Sequence, residues 1–191
     1  LDVRDGDWKA GQLVERLRRD PDEARLGLVS ELRPPLGQTE DDATDEEAVK
    51  KIYRIKQREE SKSLIILVSS YDMLKEYIPV IPEQLPAVLS EANRPTTVIY
   101  NNPVGLAKNA VAQDQTVGIR IIREPFCVAL IEAFGKPIVS TSANVSGQAS
   151  PSCFADIPVS LLKKADYVVN LHRDKKENRA SSIIRWNKDG E

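Results

Sequence analysis

Apolar positions in this chain recur first at helical spacing and then in short runs of strand length. Trp8, Leu13, Val14 and Leu17 fall broadly on one face of a helix over Trp8 to Arg19, which Pro21 ends. Leu26 to Ser30 reads as a short strand, whereas Glu31 to Asp42, with Pro34, Pro35 and Gly37, has no usable period and reads as loop or disorder. Thr44-Asp45-Glu46-Glu47 has the form of a capping box, with Thr44 as N-cap and Glu47 reaching back. It predicts a helix from there to about Lys56 that buries Ala48, Ile52 and Ile55.

Leu64 to Val68 is a continuous apolar run, predicted to be a central strand covered on both faces. Tyr71 to Tyr77 and Glu83 to Ala92 read as short helices broken by Pro79, Pro82 and Pro86. Thr97 to Tyr100 is a further strand, ending at Asn101-Asn102-Pro103, and Val117 to Ile122 is another with Arg120 in its middle. Phe126 to Phe134 suits a helix closed by Gly135, and Pro137-Ile138-Val139 a strand that runs into a hydroxyl-rich loop. A helix at Val159 to Lys164 and strands at Tyr167 to Asn170 and Ser182 to Trp186 complete the pattern. The alternation of strands and helices predicts an α/β or α+β fold around one twisted sheet, with residues 1–191 as one domain.

Composition narrows the partners. With 41% hydrophobic and 29% charged residues the chain reads as a globular protein, and a net charge of -2 means that nucleic acid would have to be held by a local patch. Positive charge does cluster between Lys50 and Lys62. Cys127 and Cys153 supply neither a disulfide framework nor metal-ligand spacing and read as free thiols in a reducing cytosol. No apolar run approaches the length of a membrane span, and Leu1 to Asp20 lacks the apolar core of a signal peptide, so the expected location is the cytoplasm, with no membrane partner.

Four stretches carry polar chemistry. Ser140-Thr141-Ser142-Ala143-Asn144-Val145-Ser146-Gly147 offers four hydroxyls, a carboxamide and a glycine just beyond a buried strand, a set that suits phosphate or ribose oxygens and equally builds an ordinary polar turn. Lys56, Arg58 and Lys62 stand between a capped helix and an apolar strand; they can converge on a polyphosphate or simply complement a helix terminus. Arg120, embedded in a strand, needs a partner, either a protein carboxylate or that of a substrate. Ala180-Ser181-Ser182-Ile183-Ile184 again places hydroxyls at the mouth of a strand. The single histidine, His172, sits in a charged loop and reads as a surface residue, which argues against Ser-His-Asp or Cys-His catalysis, and Cys153 reads as structural. Neither a P-loop nor a Gly-x-Gly-x-x-Gly motif is present. What remains is electrostatic: a held nucleotide whose phosphorus is attacked by a bound substrate, without a covalent enzyme intermediate.

In this order, Lys-x-Arg-x-x-x-Lys-x-Leu at Lys56 to Leu64, Arg-Pro-Thr-Thr-Val-Ile at Arg94 to Ile99, Val-Gly-Ile-Arg at Val117 to Arg120 and Ser-Thr-Ser-Ala-Asn-x-Ser-Gly at Ser140 to Gly147 resemble the Sua5/YrdC family from about Asp42 onward. The resemblance implies a twisted mixed α/β sheet with flanking helices and a basic concave cavity. It also implies L-threonylcarbamoyladenylate synthase activity, which condenses L-threonine, bicarbonate and ATP with release of pyrophosphate, for threonylcarbamoyl-adenosine modification of tRNA. Mg2+ would accompany the ATP as substrate, with no resident metal, and the wider partners would be tRNA-modification proteins and tRNA or double-stranded RNA. Carried onto matching positions, the family pattern makes Arg58 and Lys62 phosphate ligands supported by Lys56, with Lys56 and Arg58 as the catalytic pair. It makes Ser140, Ser142, Asn144, Thr116 and Ser150 nucleotide contacts, and Arg120 and Ser182 contacts to threonine.

The chain departs from the family upstream. The second threonine of the family's Pro-Thr-x-Thr-x-Tyr-Gly-Leu motif falls on Pro35, which has neither hydroxyl nor amide hydrogen, and the position where the family often has histidine is Leu67. The threonine half of the site is therefore damaged or built differently, with Thr39 the alternative hydroxyl, and a paralogue that binds nucleotide or double-stranded RNA without synthase activity is the competing reading.

Overall fold

The computed structural model describes residues 42–59, 64–165, 168–171, 173–176 and 181–186. The helix expected at Trp8 to Arg19, the strand expected at Leu26 to Ser30, and Pro35, Thr39, Lys62 and His172 lie outside these residues.

Helix α1 spans Glu46–Lys56. Its N-cap is Asp45 and not Thr44: the Asp45 carboxylate accepts from the Glu47 amide at 2.8 Å and the Ala48 amide at 3.3 Å. Thr44 is taken by another partner, since its amide and hydroxyl both donate to the buried carboxylate of Asp42, at 2.8 and 2.6 Å. Glu47 does not reach back either; it pairs with Lys50 at 3.4 Å. α1 buries Ala48, Val49, Ile52 and Tyr53, while Ile55 is only half-buried. Gln57 ends the helix in the left-handed region, φ 49°, and its amide bonds back to the Arg54 carbonyl.

Strand β1, Ile65–Val68, is followed by α2, Tyr71–Tyr77, and α3, Leu85–Glu91, then by β2, Thr96–Asn101, and β3, Thr116–Ile121. Helix α4, Pro125–Phe134, closes on Gly135 at φ 74° and leads into β4, Ile138–Ser140. A four-residue helix α5, Val159–Leu162, and strand β5, Ser182–Arg185, follow. Of the strand expected at Tyr167 to Asn170, residue 167 lies outside the described residues and 168–170 form no named strand.

The five strands form one mixed sheet in the order β4-β1-β3-β2-β5. β1 runs parallel to β3 and antiparallel to β4; β2 runs antiparallel to β3 and parallel to β5. The apolar run at Leu64 to Val68 is thus interior and covered on both faces, but the middle strand is β3. Successive side chains alternate between faces. Ile66, Val68, Val98, Tyr100, Val117 and Ile119 join the main core with Val49, Ile52 and Tyr53 of α1 and Leu74 and Leu85. On the opposite face, Leu67 and Ile138 pack with Phe126, Leu130 and Ile131 of α4, which covers the β1 and β4 half. Over β3, β2 and β5 that face instead carries Thr116, Gly118, Arg120, Thr97, Ile99 and Ile183, which belong to neither apolar cluster.

Candidate active site

The hydroxyl-rich loop is held to α1 by Lys56. That lysine is 3% exposed, and its ammonium donates to the main-chain carbonyls of Ser142 and Asn144 and, at 2.9 Å, to the side-chain Oδ1 of Asn144. Its own carbonyl accepts from the Ser146 amide at 3.0 Å, so both ends of the residue grip the loop. Burial, reinforced by the nearby Arg58 charge, pulls the lysine pKa from 10.5 to about 8. Asn144 is buried and bonded at both ends of its amide: Oδ1 also accepts from the Ser142 hydroxyl at 2.6 Å, and Nδ2 donates to the Gln148 carbonyl at 2.6 Å. Gly147, at φ 85°, supplies the left-handed turn that brings the chain back for that bond.

Strand pairing sets where this loop lies. Ile65 is opposite Ser140 on one side and Gly118 on the other, so the loop after β4, the basic segment before β1 and Thr116 at the start of β3 meet at one end of the sheet. Arg58 follows the turn at Gln57 and is half-buried there. Thr116 is buried, with its hydroxyl donated to Asp114 at 2.6 Å, and Asp114 in turn lies 3.7 Å from Arg185 of β5. Ser140 is half-buried, whereas Ser142 and Ser150 are exposed.

Arg120 lies at the other end of β3. Its partner among the described residues is not a carboxylate: Nε and Nη2 donate to the Thr97 hydroxyl at 3.1 and 2.9 Å, and Nη2 donates to the Ser181 hydroxyl at 2.7 Å. These bonds occupy one edge of the guanidinium, and Nη1 is bonded to no described residue. Burial lowers the Arg120 pKa from its ordinary value. The contact expected from Ser182 is displaced by one residue. Ser182 pairs with Thr96 and shares the helix-covered face with Ile184, while Ser181 is on the face of Arg120. Thr97, 1% exposed, and Ser181 are the residues that sequence reasoning missed; for Thr97 the alternation with buried Val98 and Tyr100 was the available signal.

Gly118 lies between the two ends. A Cβ there would come within 3.2 Å of Thr97 Cγ2 and 3.4 Å of Ile99 Cδ1, so glycine lets Thr97 sit close beside Arg120. Leu67, where the family often has histidine, is 7% exposed and packed against the α4 cluster. Cys127 and Cys153 are both free thiols, and burial pushes Cys127 up to about 12, which removes it as a nucleophile. Among the described residues no group of three or more His, Cys, Asp or Glu could hold a metal. None of the described helices is long and apolar enough to cross a membrane.

Residues 41–191 match the sequence profile of the Sua5, YciO and YrdC proteins, whose description reads "Telomere recombination". The chain belongs to the Sua5/YciO/YrdC family. It is 32% identical over 140 residues to the threonylcarbamoyl-AMP synthase of Escherichia coli strain K12, an alignment that takes in 69% of this chain and 74% of that protein. The fold is similar to P. abyssi Sua5 complexed with L-threonine, with a TM-score of 0.66 and 26% identity over 75% of this chain and 42% of that one. E. coli YciO superposes with a TM-score of 0.67 at 19% identity, covering 96% of this chain and 88% of YciO, and bears on the fold alone. Within this family the Lys56-anchored loop and the braced Arg120 are the features to be explained by chemistry.

Proposed function

We propose that this Sua5/YrdC protein is an L-threonylcarbamoyladenylate synthase. The observation that carries the reading is the placement of two polar centres on one sheet face: the lysine-clamped hydroxyl loop by Thr116, and Arg120 braced by Thr97 and Ser181. Arg120 lies four residue steps beyond Thr116 along β3, about 13 Å at roughly 3.3 Å per residue. That distance suits a nucleotide at one end and an amino acid at the other, with their reacting groups meeting between.

In this assignment Arg58 and Lys62 bind the triphosphate, and Thr116, Ser140, Ser142 and Ser150 contact the nucleotide. Asn144 acts chiefly from within the loop, because its amide is already bonded at both ends. Lys56 holds the loop in place. Arg120 presents Nη1 to the threonine carboxylate, with Ser181 taking the part first expected of Ser182. The threonine amine attacks the carbon of bicarbonate and water leaves, giving a carbamate whose oxygen attacks the α-phosphorus of ATP. The bond to the bridging oxygen breaks and pyrophosphate leaves with the electron pair. Mg2+ arrives with the ATP and neutralises its phosphates; the protein supplies orientation and positive charge. The product serves tRNA modification in the cytoplasm, together with the proteins that transfer the group to tRNA.

The test is purified protein with ATP, bicarbonate and each amino acid in turn, read as pyrophosphate and an adenylate product. Formation of both only with threonine and bicarbonate is the expected result. Nucleotide binding without threonine binding at any accessible concentration would remove the synthase assignment and leave a nucleotide-binding or RNA-binding paralogue.

A further inference from the structure

A cavity of about 450 Å3 opens at the end of the sheet between the α3–β2 connection and the residues after β3. Its apolar wall includes Leu89, Pro95 and Ile122, and its polar groups include the guanidinium-bearing Arg94, Arg120 and Arg123. Leu89 and Ile121 on this wall pack against the helix-covered core, and Arg120 is the residue that the cavity wall shares with the candidate active site.

The charge around this cavity is not balanced. None of the three arginines makes an ion pair with a described residue. Arg123 spends one nitrogen on the Leu89 carbonyl, and Arg94 is exposed, its guanidinium bonded to no described residue. The one acid on the wall, Glu124, is engaged at the start of α4, where Oε2 accepts from the Cys127 amide at 3.0 Å. Three arginines against one acid in the lining, around an apolar wall and a volume in the range of small-ligand sites, select an organic anion over a neutral or cationic one.

We propose that this cavity is a second ligand site, separate from the nucleotide loop, for a small organic anion whose phosphate or carboxylate sits between Arg94 and Arg123 and whose apolar body rests on Leu89, Pro95 and Ile122. A recessed wall of this kind fits a small molecule better than the convex backbone of an RNA duplex. Because Arg120 lines the cavity, occupancy there perturbs the guanidinium that faces the amino-acid end of the active site, and the two ligands are coupled.

The experiment is calorimetric titration of the full chain with phenyl phosphate, benzoate and inorganic phosphate, repeated on Arg94→Gln and Arg123→Gln, with ATP binding measured in parallel. Binding of phenyl phosphate or benzoate that is weakened about tenfold or more in both variants, as expected for loss of a charge-assisted bond, with ATP affinity unchanged, supports the site. The contrast between phenyl phosphate and benzoate decides which anionic group it takes, and weaker binding of inorganic phosphate shows that the apolar wall contributes. Equal affinity in wild type and both variants overturns the proposal, as does no binding at millimolar concentration. Arginine-dependent binding of a short RNA duplex in place of the small anions also overturns it. Loss of ATP binding in the variants would show a folding defect; Arg94→Lys and Arg123→Lys, which keep the charge, then decide the matter by restoring both affinities or ATP affinity alone. None of these outcomes depends on threonine being the substrate of the active site.

Discussion

Replacing Lys56 by Met keeps a stem of similar length in the buried channel and removes the ammonium that ties α1 to the hydroxyl loop. Three acceptors lose a donor: the Ser142 and Asn144 carbonyls, and Asn144 Oδ1, which keeps the Ser142 hydroxyl. At the low end of roughly 1.5 kcal/mol per charge-assisted bond, the gross loss is about 4.5 kcal/mol. Relief of the buried ammonium's desolvation offsets part of this, leaving about 3 kcal/mol, the lower edge of what stripping one partner from a buried charged pair costs. The loss is local to the loop, so it is read by amide hydrogen exchange. The Ser146 amide, bonded to the Lys56 carbonyl at 3.0 Å, should exchange about 150-fold faster at roughly 1.36 kcal/mol per decade. The Ile122 amide, bonded to the Val68 carbonyl at 3.0 Å in the sheet, should change little. ATP affinity, followed by calorimetry, should fall with the loop. A rise of less than about tenfold at Ser146, or an equal rise at Ile122, would refute the view that Lys56 is a local clamp.

Titrating Lys56 supplies an independent check: its folded pKa of about 8 lies below the ordinary lysine value of 10.5, so across that window the unfolded chain holds a proton that the folded chain has released. This group's contribution to stability therefore rises with pH from about 8 to 10.5 and is smallest below about 8, while the neutral amine has only two hydrogens for three acceptors. Turnover should fall above pH 8 without a matching loss of stability from this group, and comparison of wild type with Lys56→Met by unfolding and rate profiles against pH checks both signs. Thr97→Val removes the hydroxyl that accepts from Arg120 Nε and Nη2. It should raise KM for threonine about tenfold, the value of one hydrogen bond at roughly 1.4 kcal/mol, with Thr97→Ser restoring it. Gly118→Ala drives a methyl toward Thr97 Cγ2 at 3.2 Å, so threonine affinity should drop while thermal unfolding shows a cost of only about 1 kcal/mol.

Much of this molecule was decided within short stretches of chain. The continuous apolar run at Leu64 to Val68, the β-rich segment around Arg120 and the helix closed by Gly135 each carry their own signal, because period and turn chemistry act over a few residues. The motifs that place the chain in its family are equally local. Where competition between neighbours settled the outcome, local reading missed: Thr44 matches a cap, yet the buried Asp42, itself drawn into a 2.6 Å ion pair with Lys136, took its hydroxyl and left capping to Asp45. Cation roles were hidden for a related reason. Lys56 and Arg58 look alike in sequence, but the last helical position buries the first against carbonyls 86 and 88 residues away, and the left-handed turn at Gln57 leaves the second half-buried beside it. The choice between Ser181 and Ser182 rests on the register of β5 against β2. Side chains alternate faces at every residue, and only strand pairing, a contact between distant parts of the chain, determines which face meets Arg120.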